Sequence, residues 1–214
     1  MNPTSLLEPH RNSIDQLILA GQQFWTRGWS LGTSSNYSVV ISRDPIRLLI
    51  TASGKDKGNL APTDFVIVDE SGKCDPPPQA KSSAETLLHC SAVVHQSAGA
   101  VLHTHSVWST ILSNRFAAQR GILIEGFEML KGLEGMTSHQ SRLWLPIFEN
   151  TQDIPALQQQ VEAYWAENSA EPAFAYLIRR HGMYTWGKDM GAAIRHIEVM
   201  EFLLECVGRT LLLP

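Results

Sequence analysis

The sequence predicts an α/β fold built on a central mixed, largely antiparallel β-sheet with helices on both sides. Three observations lead there. Two β-rich runs, residues 37–41 and 47–51, are joined by the polar turn Ser42-Arg43-Asp44-Pro45, a hairpin signal. Later β-runs alternate with stretches of helical periodicity, so some connections must cross over the sheet. No Pro/Ser/Gly-rich linker, charge block or repeat divides the 214 residues, and one domain over 1–214 is expected.

Each element follows from its own pattern. Over residues 12–28, Ile14, Leu17, Ile18, Gly21, Phe24 and Trp25 recur at helical spacing, predicting an amphipathic first helix. Gly28, Gly32 and the polar cluster Thr33-Ser34-Ser35-Asn36 then break it. After the hairpin, residues 65–68 form a third strand. Residues 73–79 contain three consecutive prolines and must be a loop or edge segment. Residues 84–96 read as a helix. The apolar run after it, ending in His103-Thr104-His105, reads as a buried strand. A helix is expected over 106–116, with Ser106 as a cap. Strands at 121–125 and 143–148, a helix over 154–168, a strand at 173–178 and a long amphipathic helix over 192–211 complete the order.

Bulk properties narrow the function. Hydrophobic residues make up 43% and charged residues 18%, enough apolar material for a real core. A formal charge of −4 does not favour nucleic acid or an anionic membrane. Nothing in the chain reads as a secretory signal or a membrane span, and Cys74, Cys90 and Cys206 are scattered and odd in number. A cytoplasmic protein with reduced thiols is expected.

The chemistry concentrates in histidines. Residues two apart on a strand share a face, so His103 and His105 project side by side from a stiff element. A buried, hydrogen-bonded pair would explain them structurally. A metal explains them better once His181, following the apolar run at 174–178, completes a set of three neutral imidazoles with an open position. His10, His89, His95, His139 and His196 receive a structural reading. Glu128 is either a solvated loop carboxylate or a partly buried general acid/base near the metal. Glu85 is either a first-turn residue of a helix capped by Ser82 or Ser83, or part of the site. The turns at 32–36 and 51–55, with the Ser82-Ser83 helix start, could cradle a phosphate if the fold brings them together.

Taken in order, Gly32-Thr33-Ser34-Ser35-Asn36-Tyr37-Ser38, Ile50-Thr51-Ala52-Ser53-Gly54, Lys81-Ser82-Ser83-Ala84-Glu85-Thr86, His103-Thr104-His105-Ser106 and Arg179-Arg180-His181-Gly182 resemble the class II aldolase/adducin family over nearly the whole chain. Phe127-Glu128-Met129-Leu130-Lys131-Gly132, residues 145–151 and residues 179–187 are similar to the branch of that family that dehydrates a methylthio-sugar phosphate in methionine salvage. The resemblance implies a class II aldolase-like fold and a homotetramer with active sites near subunit boundaries. It implies one zinc ion per subunit on His103, His105 and His181, and the dehydratase acid/base at Glu128. It places phosphate contacts at Asn36, Ser53, Gly54 and Ser83. The expected reaction is dehydration of 5-methylthioribulose 1-phosphate to 2,3-diketo-5-methylthiopentyl 1-phosphate.

Two departures keep other readings open. Where the family more often has Ser-Ser-Glu, this chain has Ser83-Ala84-Glu85, one hydroxyl fewer. Glu85 also falls where the aldolases of the family keep a catalytic carboxylate, so it is a possible second acid/base, and a retro-aldol reaction is the alternative. A non-catalytic interaction module like the adducin head is the third reading. That class tends to lose the metal ligands this chain retains.

Overall fold

A computed structural model describes residues 6–76 and 80–213. Its centre is one eight-stranded sheet, formed by β1 (Asn36–Arg43), β2 (Ile46–Thr51), β3 (Phe65–Asp69), β4 (Ala100–Thr104), β5 (Gly121–Glu125), β6 (Arg142–Phe148), β7 (Ala175–Ile178) and β8 (Gly182–Gly187). The spatial order is β3-β2-β1-β4-β8-β7-β6-β5, and only the β6–β7 pairing is parallel. The expected mixed, largely antiparallel sheet is present.

Among the described residues, five α-helices pack on it: α1 (Arg11–Thr26), α2 (Thr86–His95), α3 (Val107–Arg115), α4 (Ile154–Glu167) and α5 (Met190–Thr210). Alternation along the strands divides the core in two. Tyr37, Leu49, Leu102 and Met183 meet Leu17 and Phe24 of α1, Leu112 of α3 and Ile197 and Leu203 of α5. Leu48, Ile50, Val101, Tyr176 and Tyr184 meet Leu88 and Val93 of α2 and Leu157 and Val161 of α4. Each such side chain contributes about 1.5–3 kcal/mol of burial free energy, so either layer alone would suffice to fix strand register. Among the described residues no helix is long and apolar enough to cross a membrane.

The helix starts carry their expected chemistry. The Ser106 hydroxyl accepts from the Ser109 amide, and Asp153 and Asp189 cap α4 and α5 in the same way. Two expectations need adjustment, and a third, the edge placement of the proline-rich segment, is met. Strand β8 reads in sequence only as part of a motif; both faces are covered, so it lacks the polar alternation that marks a half-exposed strand. Trp25 is half exposed and covers Gly58 at the rim, because α1 buries Ile14, Leu17, Ala20, Gly21 and Phe24 instead. The proline-rich segment pairs briefly along the β3 edge through Cys74 and Asp75, and its residues 77–79 lie outside the described residues.

Candidate active site

The site sits where β1, β4 and β8 end together. Register places Asn36 opposite His103 and His103 opposite Tyr184, so the three side chains form one row on the α2/α4 face of the sheet. The His103 ring stacks on Tyr184 with centroids 4.1 Å apart and planes 13° from parallel; Tyr184 stacks in turn on Tyr176. The ring is fully buried, and its Nδ1 lies 3.0 Å from the Met183 carbonyl oxygen. A carbonyl only accepts, so Nδ1 carries the proton and Nε2 is left with a free lone pair.

His105 and His181 bring their own rings to that lone pair. The Nε2 atoms of His105 and His181 lie 2.7 Å and 3.4 Å from His103 Nε2. His181 stands in the tight turn between β7 and β8, where Arg180 adopts a left-handed backbone (φ 54°). The turn is pinned from outside: Asn114 accepts from both Arg179 and Arg180, Glu149 accepts from Arg179, and Ser113 accepts from the Arg180 amide. Gly182 is dictated by crowding. A Cβ there would collide with the Thr104 carbonyl oxygen and come within 3.0 Å and 3.1 Å of the His105 and His103 rings.

Burial depresses the proton affinity of His103 and His105. His105 is pushed down to about 4 by burial first and by His181 and Lys57 second; His103 falls well below the ordinary histidine range for the same leading reason. Neutral imidazoles with inward lone pairs are the form that binds a metal. One donor atom from each of the three histidines lies within 4.8 Å of the others. The set therefore fits a single divalent ion of the borderline kind that imidazole favours.

Glu85 faces the same point. Its Oε2 is 3.4 Å from His103 Nε2 and its Oε1 is 3.5 Å from His181 Nε2. The first-turn capping explanation for Glu85 does not hold: it is the N-cap position of α2, and its carboxylate caps no backbone amide there. Instead, Oε2 accepts from Asn36 Nδ2 at 3.0 Å, while Ser83 Oγ accepts from the same amide at 3.1 Å.

Around these groups the three small-residue turns converge. Thr33, Ser34, Ser35 and Asn36, then Ala52, Ser53 and Gly54, then Ser83 line one open cavity of about 290 Å³ together with Glu85, His105, Thr151 and His181. The two turns adjoin through an Ala52–Ser82 bridge and a bond from the Ser53 amide to the Lys81 carbonyl. Ser35 and Gly54 both take positive φ, 71° and 73°. All four residues expected at a phosphate therefore line the cavity that His105 and His181 also line.

Glu128 is placed elsewhere. It opens a 3-10 turn, Glu128–Gly132, whose Leu130 is buried against the α1/α5 core layer, and Gly132 packs on Val199 of α5. That is the sheet face opposite His103. The expected partial burial is absent within one chain: the side chain is 69% exposed, pairs with Lys131 and lies 3.8 Å from His139. Lys131 holds its carboxyl below the usual glutamate range.

Comparison with known proteins places this arrangement in a family. The sequence profile of the Class II Aldolase and Adducin N-terminal domain matches residues 15–207. The chain belongs to the class II aldolase and adducin family. Among curated members of the family, the chain is 43% identical over 205 residues to a methylthioribulose-1-phosphate dehydratase from Marinobacter nauticus, covering 94% of this chain and 95% of that one. It is 45% identical over 181 residues to a protein of the same name from Sorangium cellulosum, covering 84% of each. Solved structures of the family share the fold. L-fuculose-1-phosphate aldolase from Thermus thermophilus superposes with a TM-score of 0.73 at 20% identity, covering 94% of this chain and 97% of that chain. YgbL from Klebsiella pneumoniae, a putative aldolase/epimerase/decarboxylase, superposes with a TM-score of 0.74 at 21% identity, over 98% and 91%.

Sequence reasoning missed two contributors to this family site. The Met183 carbonyl that orients His103 leaves no residue-type signal, because any residue supplies a carbonyl. His89, read as structural, stands directly behind Asn36; only the pairing of β1 with α2 reveals that.

Proposed function

We propose that the chain is a methylthioribulose-1-phosphate dehydratase, converting 5-methylthioribulose 1-phosphate to 2,3-diketo-5-methylthiopentyl 1-phosphate and water in methionine salvage. One observation carries the reading: three imidazole nitrogens and the Glu85 carboxylate converge at the cavity that the Thr33–Asn36, Ala52–Gly54 and Ser83 segments line. The substrate needs both halves, an acidifying centre for its carbon skeleton and a cradle for its phosphate. The dehydratase name shared by relatives 43–46% identical to this chain supports the same choice.

His103, His105 and His181 would hold one zinc ion per subunit. An ion held there would supply Lewis-acid polarisation for the C2 carbonyl and so make the neighbouring C3–H acidic. Glu128 takes the C3 proton. Now protonated, it returns a proton to the departing C4 hydroxyl; the C4–O bond breaks, water leaves, and the enol ketonises by moving its hydroxyl proton to C4. Glu128 serves the cavity of a neighbouring copy in a homotetramer, since its own chain anchors it on the other sheet face. Glu85 acts beside the histidines as a second acid/base.

Ser83 binds phosphate as a donor. Its oxygen already accepts from Asn36 Nδ2 and from the Glu85 amide, so the hydroxyl proton is directed elsewhere. Asn36, Ser53 and Gly54 complete that wall. The substrate is thus a small sugar phosphate, and the enzyme works in the cytoplasm.

Glu85 favours a second reading, a retro-aldol cleavage between C3 and C4, because it alone of the two carboxylates lies beside the triad within one chain. Incubation with the candidate substrate followed by mass spectrometry separates them. Dehydration gives one product eighteen daltons lighter, abolished by chelator; cleavage gives two fragments.

A further inference from the structure

We propose that His89 is a positioning residue for the reaction, holding the Asn36 amide so that it presents the Glu85 carboxylate to the three histidines. His89 is fully buried on α2, and both ring nitrogens are engaged: Nδ1 with the Ser38 hydroxyl at 2.7 Å, Nε2 with the Asn36 side-chain oxygen. Asn36 and Ser38 lie two apart on β1 and share the face that α2 covers.

The protons in this chain can be assigned from its ends. The Glu85 carboxylate only accepts, so the Asn36 group 3.0 Å away must be the NH2, and the Asn36 oxygen must face His89. An amide oxygen only accepts, so His89 Nε2 carries the ring proton. A neutral imidazole holds one proton, so Nδ1 accepts from Ser38. Burial keeps the ring neutral, pushing it down to about 3. Every link runs one way: Ser38 O–H to His89, His89 N–H to Asn36, Asn36 N–H to Glu85 and Ser83.

Without the Nε2–H, nothing in this chain distinguishes the two orientations of the amide from behind. A flipped Asn36 would turn its oxygen toward Glu85, oxygen against oxygen, and push the carboxylate from the His103–His181 side of the cavity. His89 touches neither substrate nor metal ligand in this account; it acts through Asn36. The inference rests on the reading that Glu85 takes part in the chemistry at the triad.

The test uses the full-length protein with histidine-selective 15N labelling, the His89 signals being identified by their loss in His89→Gln. At neutral pH, a neutral ring protonated at Nε2 is expected; an Nδ1–H tautomer or an imidazolium overturns the proposal. In parallel, His89→Phe keeps the volume without the donor, and His89→Gln restores an N–H near the Nε2 position. His89→Phe should lose about 10- to 100-fold in kcat with metal content unchanged, any rise in KM through the Asn36 phosphate contact staying smaller than the loss in kcat. His89→Gln should recover to within about fivefold of the wild type. Full kcat in His89→Phe, or equal losses in both variants, overturns the proposal. Should His89→Phe fail to fold, the wild-type tautomer decides. A wild-type protein inactive on the proposed substrate would defeat the dehydratase reading, and the tautomer would still judge His89.

Discussion

The Nδ1 proton of His103 is fixed by the carbonyl oxygen of Met183, 3.0 Å away on the adjacent strand, and this turns the opposite nitrogen toward His105 and His181. Removing that ring removes the buried member of the ligand set. His103→Ala should weaken zinc binding by at least about 100-fold, as measured by competition with a chromophoric chelator. Unchanged affinity would take His103 out of the metal site.

Gly182 offers a test that leaves every ligand in place. A methyl group there would press on the Thr104 carbonyl and on two of the three imidazoles. Gly182→Ala should cost about 1–3 kcal/mol in urea unfolding of the metal-free protein and also lower zinc affinity. Wild-type values for both would mean that the β4–β8 approach is looser than described.

Glu128 lies on one side of the sheet and His103 on the other. If neighbouring copies pair these groups, two dead variants can repair each other. Glu128→Gln and His103→Ala should each lack turnover, yet a one-to-one mixture after subunit exchange should regain about a quarter of wild-type activity. A mixture that stays inactive despite confirmed exchange would place both groups in one chain's site.

Ser83 is assigned a donor role toward phosphate. Ser83→Ala should raise KM by about tenfold while kcat changes much less, the pattern of lost uniform binding. A fall in kcat at constant KM would point to a role in the chemical step instead.

Glu201 gives a pH signature. It is buried behind the ligand strand, accepts from the Thr104 hydroxyl at 3.4 Å, and is pushed up to about 7 by burial. Its folded value lies above the ordinary glutamate value of 4.5, so the native state holds the extra proton between the two. Stability is therefore greatest below the lower value and declines as pH rises through the upper one. Glu201→Gln abolishes that decline. Relative to wild type, the variant should gain about 3 kcal/mol at pH 8, with the gain shrinking toward pH 5. A pH-independent difference in denaturant midpoints would refute the buried protonated carboxyl.

Much of this was legible in the residues because periodicity and spacing are local. The HxH pair, the hairpin and the amphipathic helices each depend on neighbours within a few positions, and they stand where expected. The convergence of the 33–36, 52–54 and 83 segments was visible only as a condition, since sheet order rather than spacing brings them together. Glu85 was hidden by an equally good capping pattern, which the geometry of the α2 start removes. His89 was hidden because a buried histidine looks the same in sequence whether it fills space or aims a neighbour. Strand β8 lacked alternation because helices cover it on both sides.

Two of the histidines that converge at one point, His103 on β4 and His181 in the β7–β8 turn, stand 78 residues apart along the backbone. An unfolded chain offers only the weak His103/His105 pincer, so an ion bound by all three recognises the native state alone. Occupancy then acts as a rivet through the middle of the sheet, raising the melting temperature with the logarithm of free metal. If the proposed metal binds there, starving the protein of it would cost durability as well as turnover.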